Sequence, residues 1–442
     1  MTSPDLREQV TRAVGSYLDG GEAAGLVVGV IHGDRRGVFG FGKLARDDPS
    51  TPSEATLFEI GSIAKVFTAL VLADMAACGE VALNDPICKH LPDSVHVPRR
   101  GEHEITLEHL ATHTSGLPRL PANLNPKDMA NPYADYTVAD LYQFLSEFHL
   151  TRDVGAAYEY SNVGVGLLGH ILGLVAGRPF EDLVIERICR PLGMDDTRIA
   201  LDPKRAGRLA HGHDTGGNPV PNWDSPTLAG AGALRSTGRD MLAFLAANLD
   251  GEGRDVLGLL PKAIEACQQP RARRNPPRPS VWKRSAVVAS LVALSLAIQS
   301  WWPIPPGRLA FAVAVLAPPV LSAVYGGLAP SLLATALVVG GAWRLWGDRF
   351  GWTVALVLGT FFGLLPTQGE WGSGAAARMG LGWHIDRLGW RGPQYLWHNG
   401  GTGGYASFTA LVKEIRTAII LLSNSERSVD DAGRELLKSL TG

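Results

Sequence analysis

The chain has 442 residues, of which 41 are Lys or Arg and 43 are Asp or Glu, so its formal net charge is −2. This balance argues against a nucleic-acid partner, which would need an excess of basic residues. Apolar residues make up 45% of the chain, close to the globular average, and the length is sufficient for a large hydrophobic core.

The cysteines give no indication of a metal site, a cofactor site or a disulfide framework. They follow neither a metal-ligand spacing nor a C-x-x-C spacing, and a disulfide-rich secreted fold is not expected in a chain of this length. We therefore expect four unpaired and mostly buried thiols, at Cys78, Cys88, Cys189 and Cys267.

The N-terminal part of the chain predicts a helix followed by two strands. Its first apolar residues recur at helical spacing, which predicts an amphipathic helix and leaves no apolar leader of the kind found in cleavable signal peptides; they are Leu6, Val10, Val14 and Leu18. Residues 25–44 contain two β-rich stretches separated by Asp34-Arg35, which predicts a hairpin.

The next segments predict helices with clear ends. One helix is expected to begin near Ser62 and to end at Gly79, since glycine is favoured just after a helix. Residues 105–250 mix short helices with Gly/Pro-rich loops. Within them, Ser236 or Thr237 can accept hydrogen bonds from the first N–H groups of a further helix.

The composition changes abruptly after residue 270. Residues 271–284 carry six basic residues and three prolines, and the charged residues from there to Gly369 are only Arg308, Arg344, Asp348 and Arg349. Four apolar runs of 17 or 18 residues fit this stretch, at 285–302, 309–325, 329–346 and 350–366. A buried soluble bundle would need polar outer faces, which these runs lack, so they predict four membrane spans through a lipid bilayer.

After residue 369 the soluble pattern returns, with further strands and a C-terminal helix. The apolar block therefore interrupts one domain. We predict a catalytic domain made of residues 1–270 and 370–442, with a basic linker and a four-helix transmembrane insert at 271–369.

A Ser-x-x-Lys motif, Ser62 and Lys65, lies at the predicted start of a helix. Residues three apart share one helical face, so this spacing places an amine beside a hydroxyl, where a neutral lysine can remove the serine proton. The helix N-terminus also directs free N–H groups towards developing negative charge. Alone, the motif is more typical of a capping serine and an exposed lysine.

Two later segments corroborate it. Tyr160 and Asn162 form a Tyr-Ser-Asn turn; a phenol near an ammonium can lose its proton more readily and act as a general base, and the amide can hold the lysine or a substrate carbonyl. The second segment is His398-Asn399-Gly400-Gly401, whose glycines let the backbone approach a ligand closely. An N–H of this segment can complete an oxyanion hole with that of Ser62, and His398 could bind a substrate carboxylate or steady the Tyr160 oxygen.

In this order, GSIAKVFTA, YSN and HNGGTGGY resemble the three motifs of the serine β-lactamase and penicillin-binding-protein superfamily, in particular its class C β-lactamase-related hydrolases. The sequence between these motifs, including ITLEHLATHTSGLP and GAGALRST, is similar to that family too. The resemblance covers about residues 8–270 and 375–440. It implies an α+β fold: an α/β sandwich in which helices flank an antiparallel sheet, with a helical subdomain, to which the sequence adds the inserted all-α transmembrane bundle.

The resemblance also implies the roles of the motif residues. Ser62 attacks the carbonyl, Lys65 and Tyr160 share the proton transfers, and the N–H groups of Ser62 and Gly401 form the oxyanion hole. Substrate binding falls to the second and third motifs, through Asn162, His398, Asn399, Gly400 and Gly401. The family's third motif often begins with Lys, and His398 in its place weakens the case for efficient β-lactam hydrolysis. The other histidines, His109 and His113, are expected to be structural.

These residues predict a serine hydrolase that forms an acyl-enzyme on an ester, an amide or a D-amino-acid peptide, with β-lactams as further candidate substrates, and the resemblance implies a bacterial source. An alternative is a membrane-bound sensor of β-lactams or peptidoglycan fragments that is acylated without turnover; a silent binding scaffold is disfavoured because all the motif residues are present. The basic cluster at 271–284 predicts that the catalytic domain of this multi-pass inner-membrane protein faces the cytoplasm.

Overall fold

The computed structural model describes residues 6–19, 25–45, 48–250, 258–274, 377–389 and 392–441. The chain divides into two units, of which the first comprises Met1–Pro276 and Gly372–Gly442. The second, Pro277–Trp371, lies outside the described residues, and so do the four predicted spans at 285–366. Within the described ranges no single helix is long and apolar enough to cross a membrane. One pair of consecutive helices, Asn162–Ala176 and Phe180–Cys189, meets the same criterion of length and composition when the two are taken together, and this pair is bent by 84°.

The described residues form the following elements. The α-helices are α1 (Leu6–Leu18), α2 (Ala64–Ala77), α3 (Leu107–Ala111), α4 (Val138–Glu147), α5 (Asn162–Ala176), α6 (Phe180–Val184), α7 (Pro203–Ala206), α8 (Gly238–Asp250), α9 (Leu260–Gln268) and α10 (Asp430–Thr441). The strands are β1 (Leu26–His32), β2 (Arg35–Phe41), β3 (Leu57–Glu59), β4 (Gly212–His213), β5 (Pro219–Val220), β6 (Arg235–Thr237), β7 (Ala272–Arg273), β8 (Arg378–Met379), β9 (His384–Arg387), β10 (Gln394–Gly401), β11 (Ala406–Val412) and β12 (Thr417–Ser423).

An eight-stranded antiparallel sheet, in the order β2-β1-β12-β11-β10-β9-β8-β7, organises the fold. Its side chains alternate between two hydrophobic cores, as the pleat requires. One face packs against α1 and α10, and the other against α8 and the helices around α2. The predicted α+β arrangement, an antiparallel sheet flanked by helices, is confirmed.

Several local predictions agree with the structure. The stripe of α1 is buried at Leu6, Val10 and Val14. The first hairpin turns at Gly33-Asp34, one residue before the expected position, because Gly33 supplies the positive φ of 59° that the turn needs. All four cysteines are free, but Cys78 and Cys88 are exposed, so the expectation of mostly buried thiols holds for only half of them.

The described residues on either side of residues 275–376 lie at the edge of the sheet. β7 is the last strand in the sheet order, and it pairs antiparallel with β8, which lies more than 100 residues later in the chain. The N–H of Arg274 donates to the carbonyl of Ala377 at 3.1 Å. The two described chain ends that flank residues 275–376 are therefore immediate neighbours.

Candidate active site

Ser62 and Lys65 lie where a 3₁₀ turn, Gly61–Ile63, continues directly into α2. Their shared helical face brings the Lys65 Nζ to 2.9 Å from the Ser62 Oγ. The same Nζ donates to the carbonyl oxygen of Ala231 at 2.6 Å. Lys65 is completely buried, whereas Ser62 is half-buried and faces a cleft.

Burial lowers the pKa of Lys65 well below 10.5, because the ammonium loses its hydration, and the positive charge of Arg119 lowers it further. No carboxylate of the described residues forms an ion pair with Lys65, so no negative charge offsets this cost. The site therefore favours a neutral amine next to the serine hydroxyl. That is the protonation state in which a lysine can accept a proton.

Tyr160 is held in place by the residue that follows it. Ser161 is the N-cap of α5: its hydroxyl accepts from the N–H of Gly164 at 2.8 Å and donates to the carbonyl of Pro118 at 2.7 Å. The Ser161 N–H donates to the Nδ1 of His113 at 3.1 Å. The Tyr160 ring consequently stacks on His113, with 4.5 Å between ring centroids, and lies 5.0 Å from the Lys65 Nζ.

The pKa of Tyr160 is raised to about 12 because the phenol is buried; the neighbouring Ser62 hydroxyl and Arg119 charge only partly oppose this. This direction is opposite to the one expected from sequence. A neighbouring cation would lower the pKa of a phenol, but desolvation of the phenolate outweighs that effect here. Tyr160 is thus a protonated phenol at neutral pH.

Two glycines let strand β10 lie directly against the nucleophile turn. A Cβ on Gly61, where φ is +49°, would meet the Gly401 nitrogen at 2.6 Å. A Cβ on Gly400 would meet the Ile60 carbonyl oxygen at 2.2 Å and the Ser62 nitrogen at 2.9 Å. Only glycine permits this approach, which places the backbone of Gly401 beside that of Ser62, as an oxyanion hole requires.

His398 belongs to a group of three buried histidines behind Tyr160. Its ring centroid lies 6.3 Å from that of Tyr160 and 5.0 Å from that of His384, and its Nδ1 contacts the Asn399 carbonyl oxygen at 2.6 Å. Burial and the nearby Lys65 lower its pKa to about 3. His398 is therefore neutral and does not line the cleft, so it offers no charge to a substrate carboxylate.

The structure separates Asn162 from Asn399. Asn162, at the start of α5, lines the cleft together with Ser62. Successive residues of a strand face opposite sides of the sheet, so Asn399 points away from His398. Its amide donates to the carboxylate of Asp430 at 2.7 Å, at the start of α10, and the structure does not bring Asn399 together with the other predicted site residues.

The cleft has a volume of about 450 Å³, counted to its open mouth. It is lined by Gly61, Ser62, Tyr133, Asn162, Trp223, Ser225, Leu228, Ala231, Gly232, Ala233, Gly401 and Thr402. Tyr133 and Trp223 meet edge to face across one wall, with centroids 5.6 Å apart. Neither aromatic residue was found from sequence, since each lies in a loop outside the three motifs. In the part of the chain that the structure describes, no cluster of His, Cys, Asp or Glu could hold a metal ion.

Comparison with known proteins gives a consistent assignment. The family model described as Beta-lactamase matches residues 10–286 and 353–441. D-alanyl-D-alanine-carboxypeptidase/endopeptidase AmpH of Escherichia coli K12 is 31% identical over 249 residues, which are 55% of this chain and 63% of that protein. A Beta-lactamase of Pseudomonas fluorescens is 29% identical over 247 residues, 55% of this chain and 65% of that protein.

These alignments span less than two thirds of either relative. Among solved structures, the Beta-lactamase/D-alanine Carboxypeptidase from Yersinia pestis complexed with citrate superimposes with a TM-score of 0.63. The superposition covers 99% of this chain and 98% of that chain at 21% identity, and it shows the shared fold. The family match covers well over half of the residues, and the chain belongs to the Beta-lactamase family.

Proposed function

We propose that the protein is a serine hydrolase that forms an acyl-enzyme on Ser62. The observation that carries this proposal is the buried Lys65 amine 2.9 Å from the Ser62 Oγ, with its pKa held well below the usual value. A neutral amine in this position can activate a hydroxyl that is otherwise a weak nucleophile.

The reaction would proceed in two balanced steps. As the Ser62 Oγ bonds to the substrate carbonyl carbon, its proton passes to Lys65, and the backbone N–H groups of Ser62 and Gly401 stabilise the oxyanion. The protonated Tyr160 gives a proton to the leaving group as the bond to the carbonyl breaks, and the Lys65 ammonium restores it. Water then attacks the Ser62 ester as its proton passes to Tyr160 and the Tyr160 proton passes to Lys65, and the Lys65 ammonium returns a proton to the Ser62 Oγ as the ester bond breaks.

The substrate class is an ester, an amide or a D-amino-acid peptide, with β-lactams as further candidates. The activities in the names of the relatives, D-alanyl-D-alanine carboxypeptidase, endopeptidase and β-lactamase, support acyl compounds of this kind. The amide of Asn162 in the cleft wall suits a substrate carbonyl or amide. Because these relatives are named as enzymes, a sensor that is acylated without turnover is not favoured.

Turnover under substrate excess tests this function. Wild type and Ser62→Ala would be incubated with a hundredfold excess of benzylpenicillin, N-acetyl-D-Ala-D-Ala and 4-nitrophenyl acetate in separate reactions. We expect the wild type to release many equivalents of at least one product, and the variant none above background. Release of one equivalent that then stops would support the sensor, and equal turnover by both proteins would exclude Ser62.

We also propose that residues 271–369 form an insert within a catalytic domain of residues 1–270 and 370–442, with four membrane spans between 285 and 366. Its support is the near absence of charge and the family match, which leaves 287–352 unmatched but resumes inside the fourth apolar run. Because Ser62 and Gly401 flank the insert in sequence and meet in one site, the number of crossings must be even. The basic residues of 271–284 favour a catalytic domain facing the cytoplasm.

Replacement of the insert tests this arrangement. Because Arg274 and Ala377 are hydrogen-bonded neighbours on paired strands, a four-residue Gly/Asn turn can join them. We expect the shortened protein to leave the membrane fraction and to retain acylation of Ser62. Full-length protein that stays in the supernatant after ultracentrifugation, or a reporter fused after residue 442 that is active only outside the cytoplasm, would contradict the proposed topology.

A further inference from the structure

We propose that Arg119 binds a carboxylate of the substrate close to the carbonyl that Ser62 attacks, so that the enzyme selects anionic acyl compounds. This inference rests on the proposed function, because it names the substrate class of the same site.

The first argument is the position of Arg119. Its carbonyl oxygen accepts from the N–H of Asn162 at 2.9 Å and from that of Val163 at 3.4 Å, which fastens its loop to the first turn of α5. Its guanidinium carbon lies 5.2 Å from the centroid of the Tyr160 ring, the same ring that the Lys65 Nζ approaches at 5.0 Å. The guanidinium therefore lies against the Tyr160 ring, and the Arg119 backbone lies beside Asn162, a residue of the cleft wall.

The second argument is that the charge of Arg119 is available to a ligand. Arg119 is exposed, and it makes no ion pair with a carboxylate of the described residues. The acid nearest to Tyr160 in sequence, Glu159, is paired with Arg152. The arginine behind Trp223, Arg235, is buried and paired with Glu59 and Asp224.

The third argument is that, among the residues that the structure describes, none of those lining the cleft is a lysine or an arginine. Lys65 is buried and favours the neutral amine, and the buried His398 is neutral as well. The positive charge of Arg119 contributes to the lowered pKa of Lys65 and opposes the raised pKa of Tyr160, so its field reaches the reacting groups. The planar guanidinium of Arg119 can bind a carboxylate with two parallel hydrogen bonds.

Matched substrates with and without a carboxylate test the inference. The variants are Arg119→Ala, Arg119→Lys and, as a control for loss of an exposed arginine, Arg36→Ala on β2. The substrates are benzylpenicillin against its methyl ester and N-acetyl-D-Ala-D-Ala against its carboxamide, with kcat/KM measured at 50 and 500 mM NaCl.

We expect Arg119→Ala to lower kcat/KM about 10- to 100-fold for the carboxylates and less than about threefold for the neutral partners. Arg119→Lys should restore part of the loss, and high salt should weaken the preference of the wild type. Equal losses on charged and neutral substrates would assign Arg119 a structural role on Tyr160 and overturn the inference, as would no loss on either. A wild type that is acylated by none of the substrates would instead refute the proposed function, and the inference with it.

Discussion

Gly400 offers a sharp test of how the oxyanion hole is built. It lies in β10, where the strand backbone packs against the turn that carries Ser62. A methyl group at this position would lie 2.2 Å from the Ile60 carbonyl oxygen, 2.5 Å from the Ser407 Oγ and 2.9 Å from the Ser62 nitrogen. The first contact is to backbone, which cannot rotate away, so Gly400→Ala requires the strand and the turn to separate.

The size of the effect follows from these distances. Relief of the 2.2 Å contact to an ordinary carbon–oxygen distance needs a displacement of about 1 Å. A misplacement of this size can cost about 100-fold in rate, and loss of one oxyanion donor costs about 100- to 1000-fold. We therefore expect Gly400→Ala to lower kcat/KM at least about 100-fold, while stability falls by only about 1–3 kcal/mol.

The control is Gly433→Ala on α10, where a methyl group would lie 2.3 Å from the Phe408 ring. It imposes a similar steric cost outside the candidate site. Initial rates on 4-nitrophenyl acetate, normalised to folded protein by circular dichroism, give the comparison. We expect Gly433→Ala to lower the melting temperature and keep kcat/KM within about threefold. Equal kcat/KM for Gly400→Ala and the wild type would refute the proposed close approach.

Two further predictions use the protonation states of the site. Because Tyr160 is protonated, Tyr160→Phe should slow the cleavage of amides and β-lactams about 100- to 10,000-fold. It should slow the cleavage of 4-nitrophenyl esters much less, since nitrophenolate leaves without a proton. Equal losses of the acylation rate on both kinds of substrate, measured by stopped flow, would argue against Tyr160 as a proton donor. The pKa of His398 is about 3 in the folded protein and 6.5 in the unfolded chain, so acid protonates the unfolded state first and destabilises the fold. In urea titrations, the free energy of unfolding of the wild type should fall by about 2 kcal/mol more between pH 8 and pH 5 than that of His398→Gln. Equal decreases in the free energy of unfolding of the two proteins would contradict the buried neutral imidazole.

The sequence was sufficient to predict the elements that bear the motifs. Helical spacing predicted that Ser62 and Lys65 share one face, and the glycines at 400 and 401 indicated a close backbone approach; both features are local and depend on a few neighbouring residues. The same strand periodicity could have shown that Asn399 faces away from His398. The fold class followed from the resemblance of the three motifs, in their order, to the serine β-lactamase and penicillin-binding-protein superfamily.

Other properties of the site depend on how distant segments pack. The direction of the Tyr160 pKa shift is set by burial between His113 and the third motif, which no local pattern reveals. His113 was expected to be structural, but sequence did not indicate that its ring stacks directly on Tyr160. Trp223 enters the cleft wall from a loop more than 150 residues after Ser62. Such contacts follow from tertiary structure alone.

The most direct test of the central claim is to locate the acyl group. Intact protein would be mixed with benzylpenicillin, quenched in acid within seconds and digested, and the peptides would be analysed by mass spectrometry. We predict an adduct with the mass of the intact penicillin on the peptide that contains Ser62, and no adduct in Ser62→Ala. An adduct on another residue, or equal labelling of the variant, would contradict the account.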